Sequence, residues 1–206
     1  ANVAAATEIV PLTDATLLLH GAQLQVPTYD RSALTPAVVH FSVGGFHRAH
    51  QLLYFDELAE RRISTDWGVV GVGLNSRTMK EALAPQDHLY TVVERSPDGE
   101  RARVVGVMID YHFAPEDPAR VLDLLTDERT RMVSLTITDS GYRLDPCTGL
   151  FDADDPDIRW DVREPSRPRT VFGFIVEALD RRTPSRAAFE SWLAGEGWVS
   201  RLTERQ

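Results

Sequence analysis

Two rhythms of apolar residues alternate along most of this chain. Short continuous runs, such as Val38-Val39-His40-Phe41, give way to stretches in which apolar residues return every three or four positions. The first rhythm suits a buried strand and the second a helix with one apolar face. The pattern predicts a strand over 37–42, a glycine turn, and a helix over 47–62 with Leu52, Leu53, Phe55, Leu58 and Ala59 as its stripe. A second strand is expected over 68–72. A helix over 76–83 follows and stops at Pro85, whose ring cannot continue the hydrogen-bond ladder.

Residues 88–95 and 101–109 are two β-rich runs joined by Ser96-Pro97-Asp98-Gly99, an order that favours a tight turn, so they read as a hairpin. Asp117-Pro118 opens a helix to about residue 126, because proline is well placed in a first turn and Val121, Leu122, Leu124 and Leu125 follow. The run 132–138 reads as a buried strand. Residues 143–169 are rich in Asp, Pro and Arg and predict a long surface excursion. A last helix over 170–182 would place Val171, Phe174, Ile175, Ala178 and Leu179 on one side.

Strands alternating with helices predict an α/β fold, a Rossmann-like, doubly wound, mostly parallel sheet with an inserted β-hairpin. Residues 37–182 form its body. Residues 1–36, punctuated by Pro11, Pro27 and Pro36, read as an N-terminal arm with one short helix. Residues 183–206 read as a helical tail, amphipathic through Phe189, Trp192 and Leu193, with Ser185 as its cap.

The chain has 206 residues, of which 43% are apolar, enough for one substantial core. Its formal net charge of −9 argues against nucleic acid, which demands clustered cations. Arg163, Arg167 and Arg169 are the densest late basic group, but acids and prolines surround them, and they read as a solvated loop. The single Cys147 cannot form a disulfide within the chain, which fits a reducing compartment. Neither a signal-peptide pattern nor an apolar stretch of membrane-spanning length is found, so the expectation is a cytoplasmic protein without a membrane partner.

Candidate chemistry gathers where the first strand meets the glycines. Glycine lets the backbone approach a ligand, and the first N–H groups of a helix are unpaired and carry the positive end of its dipole. A dinucleotide pyrophosphate fits such a place. Against the pattern G-x-G-x-x-G the aligned residues are Ser42, Gly44 and His47, so only the middle glycine is kept. A strand-to-helix turn that needs small residues for geometry alone is the competing reading. The candidate cofactor-binding residues are Phe41, Ser42, Val43, Gly44, Gly45, Phe46, His47, Arg48 and Ala49, with Asn75 and Arg77 at the ribose position. The expected cofactor is NAD, and because no carboxylate follows the second strand before Glu81, NADP is possible as well. His47 and His50 share a helix face but lack an obvious third ligand. Asp152, Asp154, Asp155 and Asp157 lack the glycine and distal Glu of a calcium loop, so no metal ligand is assigned.

The segment Gly44-Gly45-Phe46-His47-Arg48-Ala49-His50-Gln51 resembles the nucleotide-binding signature of the mannitol dehydrogenase family, the long-chain polyol dehydrogenases. The likeness continues through residues 67–74, 86–91, 133–142 and 170–179, and spans about 36–182. It implies NAD(P)-linked hydride transfer between a sugar alcohol and a ketose or keto-uronate. It also implies that the hairpin is inserted where a plain dinucleotide fold has a helix. Thr138 and Asp139 match a family Thr-Glu pair near the nicotinamide, one methylene shorter at the acid.

In that family a Lys base, followed by an Asn and a His, sits in a helical C-terminal domain. Here the only lysine is Lys80, and the only asparagines are Asn2 and Asn75, so no catalytic residue is assigned. The expectation is therefore the cofactor-binding part of a longer dehydrogenase. The alternative is a truncated, catalytically inactive nucleotide-binding module, and a third reading is a Rossmann-like fold that binds no dinucleotide.

Overall fold

A computed structural model describes residues 9–182. Its main sheet has four parallel strands in the order β5-β2-β1-β6, formed by β1 (Pro36–Phe41), β2 (Gly68–Gly73), β5 (Met108–Phe113) and β6 (Met132–Leu135). The hairpin is β3 (Tyr90–Ser96) and β4 (Gly99–Val105), a separate antiparallel pair. Five helices complete the described chain: α1 (Leu52–Glu60), α2 (Thr78–Leu83), α3 (Pro118–Thr126), α4 (Pro156–Arg163) and α5 (Val171–Arg182). In order of the parallel strands this is 3-2-1-4, the arrangement of a Rossmann sheet around its switch point.

Strands β1 and β2 are central, and their side chains are buried on both faces, which is why they read as unbroken apolar runs. On one face Val39, Phe41, Val70 and Val72 pack with Val121, Leu122 and Leu125 of α3 and Phe174 of α5. On the other, Val38 and Val69 meet Leu52 and Ala59 of α1 and Leu83 of α2. Asp117 and Asp155 cap α3 and α4 through their side chains, accepting from Arg120 N (3.0 Å) and from Asp157 N (2.8 Å) and Ile158 N (3.2 Å), with proline at the next position in each.

Four expectations change. The second hairpin run ends at Val105, where Tyr90 pairs it, and Met108–Phe113 instead forms the third parallel strand beside β2. The break comes at Gly106, whose N–H donates to Asp56 at 2.9 Å and leaves the ladder. The strand over 132–138 is shorter and, among the described residues, is an edge: Met132, Val133 and Leu135 are 41%, 39% and 39% exposed, because there β6 pairs with β1 alone. The surface excursion 143–169 contains α4. The helix over 47–62 begins as a π-helical turn, His47–Gln51, before α1.

The N-terminal arm contributes two short 3-10 turns, Leu17–His20 and Arg31–Ala33, and lies along the hairpin. Leu17 packs with Leu89 and Val104, and Gln25 bridges Arg103. The hairpin is tied to α1 by Asp56, which is 1% exposed and accepts from Tyr29 Oη (2.6 Å), Gly106 N (2.9 Å) and Arg103 Nη2 (2.5 Å). The expected tail helix, with Phe189, Trp192 and Leu193, lies outside the described residues. Among the described residues no helix is long and apolar enough to cross a membrane.

Candidate functional site

The turn after β1 is built by its own backbone. Ser42 N donates to Val72 O (2.8 Å) and Thr136 N to Phe41 O (3.1 Å), completing the ladders to β2 and beyond β6. The chain then reverses through Ser42, whose φ of 68° is left-handed. This is the position at which the dinucleotide pattern has its first glycine, and Ser42 adopts the conformation glycine would take there, against the Cβ repulsion that makes it rare. Gly44 N donates back to Ser42 O at 2.8 Å, so that amide is spent inside the turn.

Gly45 and Phe46 behave differently. Among the described residues their N–H groups meet no backbone acceptor, and they head the turn that runs into the helix. A Cβ placed on Gly45 would meet nothing within 4 Å, and one on Gly44 would meet only Ser42 O at 3.9 Å. Neither glycine has the positive φ or the close neighbour that would make the fold require it. The space in front of them is open, and unpaired helix-start amides favour ligands of negative charge. A pyrophosphate fits these residues.

The turn is braced from behind. Arg48 Nη1 donates to Val43 O at 2.9 Å, and Tyr90 Oη donates to Arg48 O at 2.8 Å, so the guanidinium supports the backbone. Val43 is buried where a Cβ on Gly71 would sit: that atom would lie 2.7 Å from both Val43 and Tyr111. Burial raises the phenol of Tyr90 well above its ordinary range and raises that of Tyr111 too, so both stay protonated.

His47 is 1% exposed and stacks on His40, which is fully buried in β1. Nδ1 of His47 donates to Gln51 Oε1 at 2.6 Å, and its Nε2 is buried without a partner. His40 lies 2.8 Å from Ser134 Oγ and 3.0 Å from Thr136 Oγ1. Burial lowers both imidazoles, His40 to about 3, with the neighbouring ring as the second cause for His40. The pair is neutral. His50 is exposed and meets the Phe46 ring at 5.1 Å.

A cleft of about 380 Å³ opens over the C-terminal ends of β1, β2 and β6. It brings together Ser42, Asn75 and Thr138 from the sequence-based set, with Leu74, Thr136 and Ile137 beside them. It does not bring in Arg77, which is 61% exposed and ion-paired with Glu116 at 2.9 Å. Phe41 turns its side chain into the core against Phe174, 5.9 Å away, so it can serve a ligand only through its backbone. Ala49 is half-buried in the π-helical turn. Asp139 opens a short 3-10 turn, Asp139–Tyr142.

Sequence reasoning missed Thr136, Arg143, Arg169 and Thr170, which also line this cleft. The group at Arg163, Arg167 and Arg169 is thus not simply a solvated loop: Arg169 lies 3.8 Å over the Trp160 ring and borders the cleft. The Asp-Pro pair at 155–156 repeats the signal at 117–118 and could have found α4 and the loop it anchors. A larger hollow of about 710 Å³, lined by Asp154, Arg159 and Arg163, touches no strand end. The cleft at the strand ends, where parallel α/β sheets bind ligands, is the candidate site.

Comparisons with known proteins bear on the family and the fold. The family model described as the mannitol dehydrogenase Rossmann domain matches residues 36–190. The chain is 44% identical over 182 residues to the mannitol 2-dehydrogenase of Cereibacter sphaeroides, covering 85% of this chain and 38% of that protein. It is 42% identical over 176 residues to a polyol:NADP oxidoreductase of Gluconobacter oxydans, covering 83% of this chain and 36% of the other. Among solved structures it superposes on the Pseudomonas fluorescens mannitol 2-dehydrogenase ternary complex with NAD and D-mannitol, with TM-score 0.79 and 39% identity, over 87% of this chain and 36% of that one. A D-sorbitol dehydrogenase in substrate-free form matches with TM-score 0.76 and 40% identity, over 84% of this chain and 36% of that one. The chain thus spans little more than a third of the length of these relatives. It belongs to the mannitol dehydrogenase family, and the matched residues are that family's Rossmann domain.

Proposed function

We propose that this chain is the coenzyme-binding part of an NAD(P)-linked polyol dehydrogenase, acting between a sugar alcohol and a ketose or keto-uronate. Bound nicotinamide supplies the hydride chemistry; the protein's task is to hold and orient it. In this reading residues 37–182 are the coenzyme-binding unit. The amides of Gly45 and Phe46 hold the pyrophosphate, Arg48 and His47 keep the turn in shape, and Asn75, Thr138 and Asp139 flank the two ends of the dinucleotide. The observation that carries the reading is the open space in front of Gly44 and Gly45, which the fold itself does not need.

A cytoplasmic setting without nucleic acid belongs to the same proposal. The single cysteine, exposed Cys147, and the net charge of −9 support it. One observation favours a second reading for these residues taken alone, the inactive nucleotide-binding module. The only lysine, Lys80, is on α2 and ion-paired with Glu116, outside the cleft lining.

The test is a fluorescence titration of the chain with NADH and NADPH, repeated on Gly45→Val. The side chain has room in the protein but would occupy the pyrophosphate's place. Binding should weaken roughly ten-fold or more, which is about 1.4 kcal/mol or more, while the thermal midpoint stays close to that of the parent. Unchanged binding by Gly45→Val, or no saturable signal from the parent with either coenzyme, would reject the reading.

A further inference from the structure

The face built by α4 and α5 has no part in the reading above. Between the two helices runs a groove of about 380 Å³, lined by Phe151, Ile158, Val162, Phe172 and Val176. Its apolar side chains stand partly in water: Val162 is 78% exposed, Val176 67% and Phe151 49%. On α5, Phe172, Val176 and Leu179 follow one another at four and three positions and so share one side of the helix, while Val171, Phe174 and Ala178 turn into the core.

The groove is not shaped for a charged ligand. Its two carboxylates are already engaged: Asp161 accepts from Arg169 N, Thr170 N and Thr170 Oγ1, and Glu177 holds Arg181 at 2.8 Å. What remains is apolar surface. A cavity of ~150 Å³ takes a benzene ring, so this groove has room for about two large side chains.

The chain itself carries a matching segment. α5 ends at Arg182, and residues 183–206, outside the described residues, follow it directly. Thr183-Pro184-Ser185 has the makeup of a turn between helices, since proline does not continue the first and serine caps the second. Antiparallel helices need only about 2–5 residues between them. Beyond that turn Phe189, Trp192 and Leu193 recur at helical spacing. Counted from Pro184, Phe189 lies as far after the turn as Leu179 lies before it, and Trp192 as far as Val176. In an antiparallel pair those positions come level, because both helices rise ~1.5 Å per residue.

We propose that residues 186–194 form a helix that folds back antiparallel to α5 and sets Phe189, Trp192 and Leu193 into the groove between α4 and α5. The two helices make an αα-hairpin within one chain. This docking does not depend on what the strand-end cleft binds.

Disulfide trapping in the full chain tests it. Cys147, the only native cysteine, is exposed and is first replaced by serine. Val176→Cys is then combined in turn with Phe189→Cys, Trp192→Cys or Leu193→Cys. As a control, Tyr54→Cys, 76% exposed on α1 on the opposite face of the sheet, is combined with the same three. A disulfide needs Cα atoms within about 7 Å. Under mild oxidation, position 176 should therefore bridge to 192 or 193 within one chain roughly ten-fold or more faster than position 54 does, because docking raises the effective concentration above that of a free tether. Adding Val162→Asp should bring that rate down to the control, since the docked tail would bury an unpaired carboxylate. Val162 is exposed enough for the fold to survive the change, and near-ultraviolet circular dichroism checks this. Rates from 176 no higher than from 54, or a fast bridge that Val162→Asp does not slow, overturn the docking. Bridges that join two chains overturn it as well, and assign the groove to a second copy.

Discussion

The imidazoles of His40 and His47 lie face to face, their centroids 3.3 Å apart and their planes within 1° of parallel, at the turn that follows β1. One ring comes from the central strand β1 and the other from the π-helical turn, so the stack fixes the distance between strand and helix start. Burial keeps both rings neutral, because a charge there would lose its hydration and a second would face the first.

Stability should therefore depend on pH above the range of the carboxylates. The folded pKa values of His40 and His47 lie below the ordinary 6.5, so the unfolded chain takes up protons first as pH falls. Their contribution is complete above about pH 6.5 and is lost as pH falls towards the folded value, about 3 for His40. His88, lowered by burial, acts in the same sense. Urea midpoints should drop between about pH 7 and pH 4.5, and His40→Gln should flatten the profile. A parent midpoint constant over that window would contradict the neutral stack.

Ser42 offers a stability gain. Its left-handed φ of 68° carries a Cβ repulsion of roughly 1–2 kcal/mol, against a smaller entropic penalty for glycine in the unfolded chain. Ser42→Gly should raise the unfolding free energy by about 0.5–1 kcal/mol, read from urea denaturation, whereas Ser42→Val should lower it. A destabilised Ser42→Gly would mean that the hydroxyl matters more than the backbone.

Gly173, in the first turn of α5, is the reverse case of Gly45. A Cβ on it would run into Asp161, which accepts from Arg169 N (2.6 Å), Thr170 N (3.1 Å) and Thr170 Oγ1 (2.6 Å) and so caps the helix. Gly173→Ala should destabilise by about 1–3 kcal/mol through overpacking and a disturbed cap, while Gly45→Ala changes stability little. Comparing the two melting midpoints checks the contrast, and equal shifts would refute it.

The buried carboxylate of Asp56 ties arm, hairpin and α1 together. Asp56→Ala would leave Arg103, whose side chain is 16% exposed, and the Gly106 N–H without their shared acceptor. Removing one partner of such a buried pair lowers stability by about 3–5 kcal/mol. Hydrogen exchange should show the loss first in β3 and β4, since Asp56 joins Arg103 of β4 and the adjoining Gly106 to α1. An intact hairpin in the variant would assign that role to Leu17, Leu89 and Val104 instead.

Much of the architecture was legible because apolar periodicity is a local signal. β1 and β2 are buried on both faces and read as continuous apolar runs, and Asp117 with Pro118 marked the start of α3 through capping chemistry alone. The same Asp-Pro signal at 155–156 was submerged in a stretch dense with Asp, Pro and Arg, and α4 went unread. The hairpin run 101–109 takes in Met108 and Ile109, the first residues of the third parallel strand, because β propensity does not say which sheet a strand joins. β6 read as buried because its residues are apolar, yet exposure depends on whether a second neighbour is present.

At the site, Gly44, Gly45 and the helix start were readable, since turn chemistry and unpaired amides follow from residue type and order. The rest depended on distances across the fold. Arg77 is adjacent in sequence to the ribose position but is captured by Glu116, 39 positions away in numbering, and Arg169 reaches the cleft only because α4 and Trp160 carry it there. The linear chain, then, specified a Rossmann-like alternation, a glycine turn at the end of β1 and membership of a family, all set by local pattern. Which charges face the cleft, and which are neutralised elsewhere, was decided by packing, because electrostatic pairing depends on separation in space and not on order along the backbone.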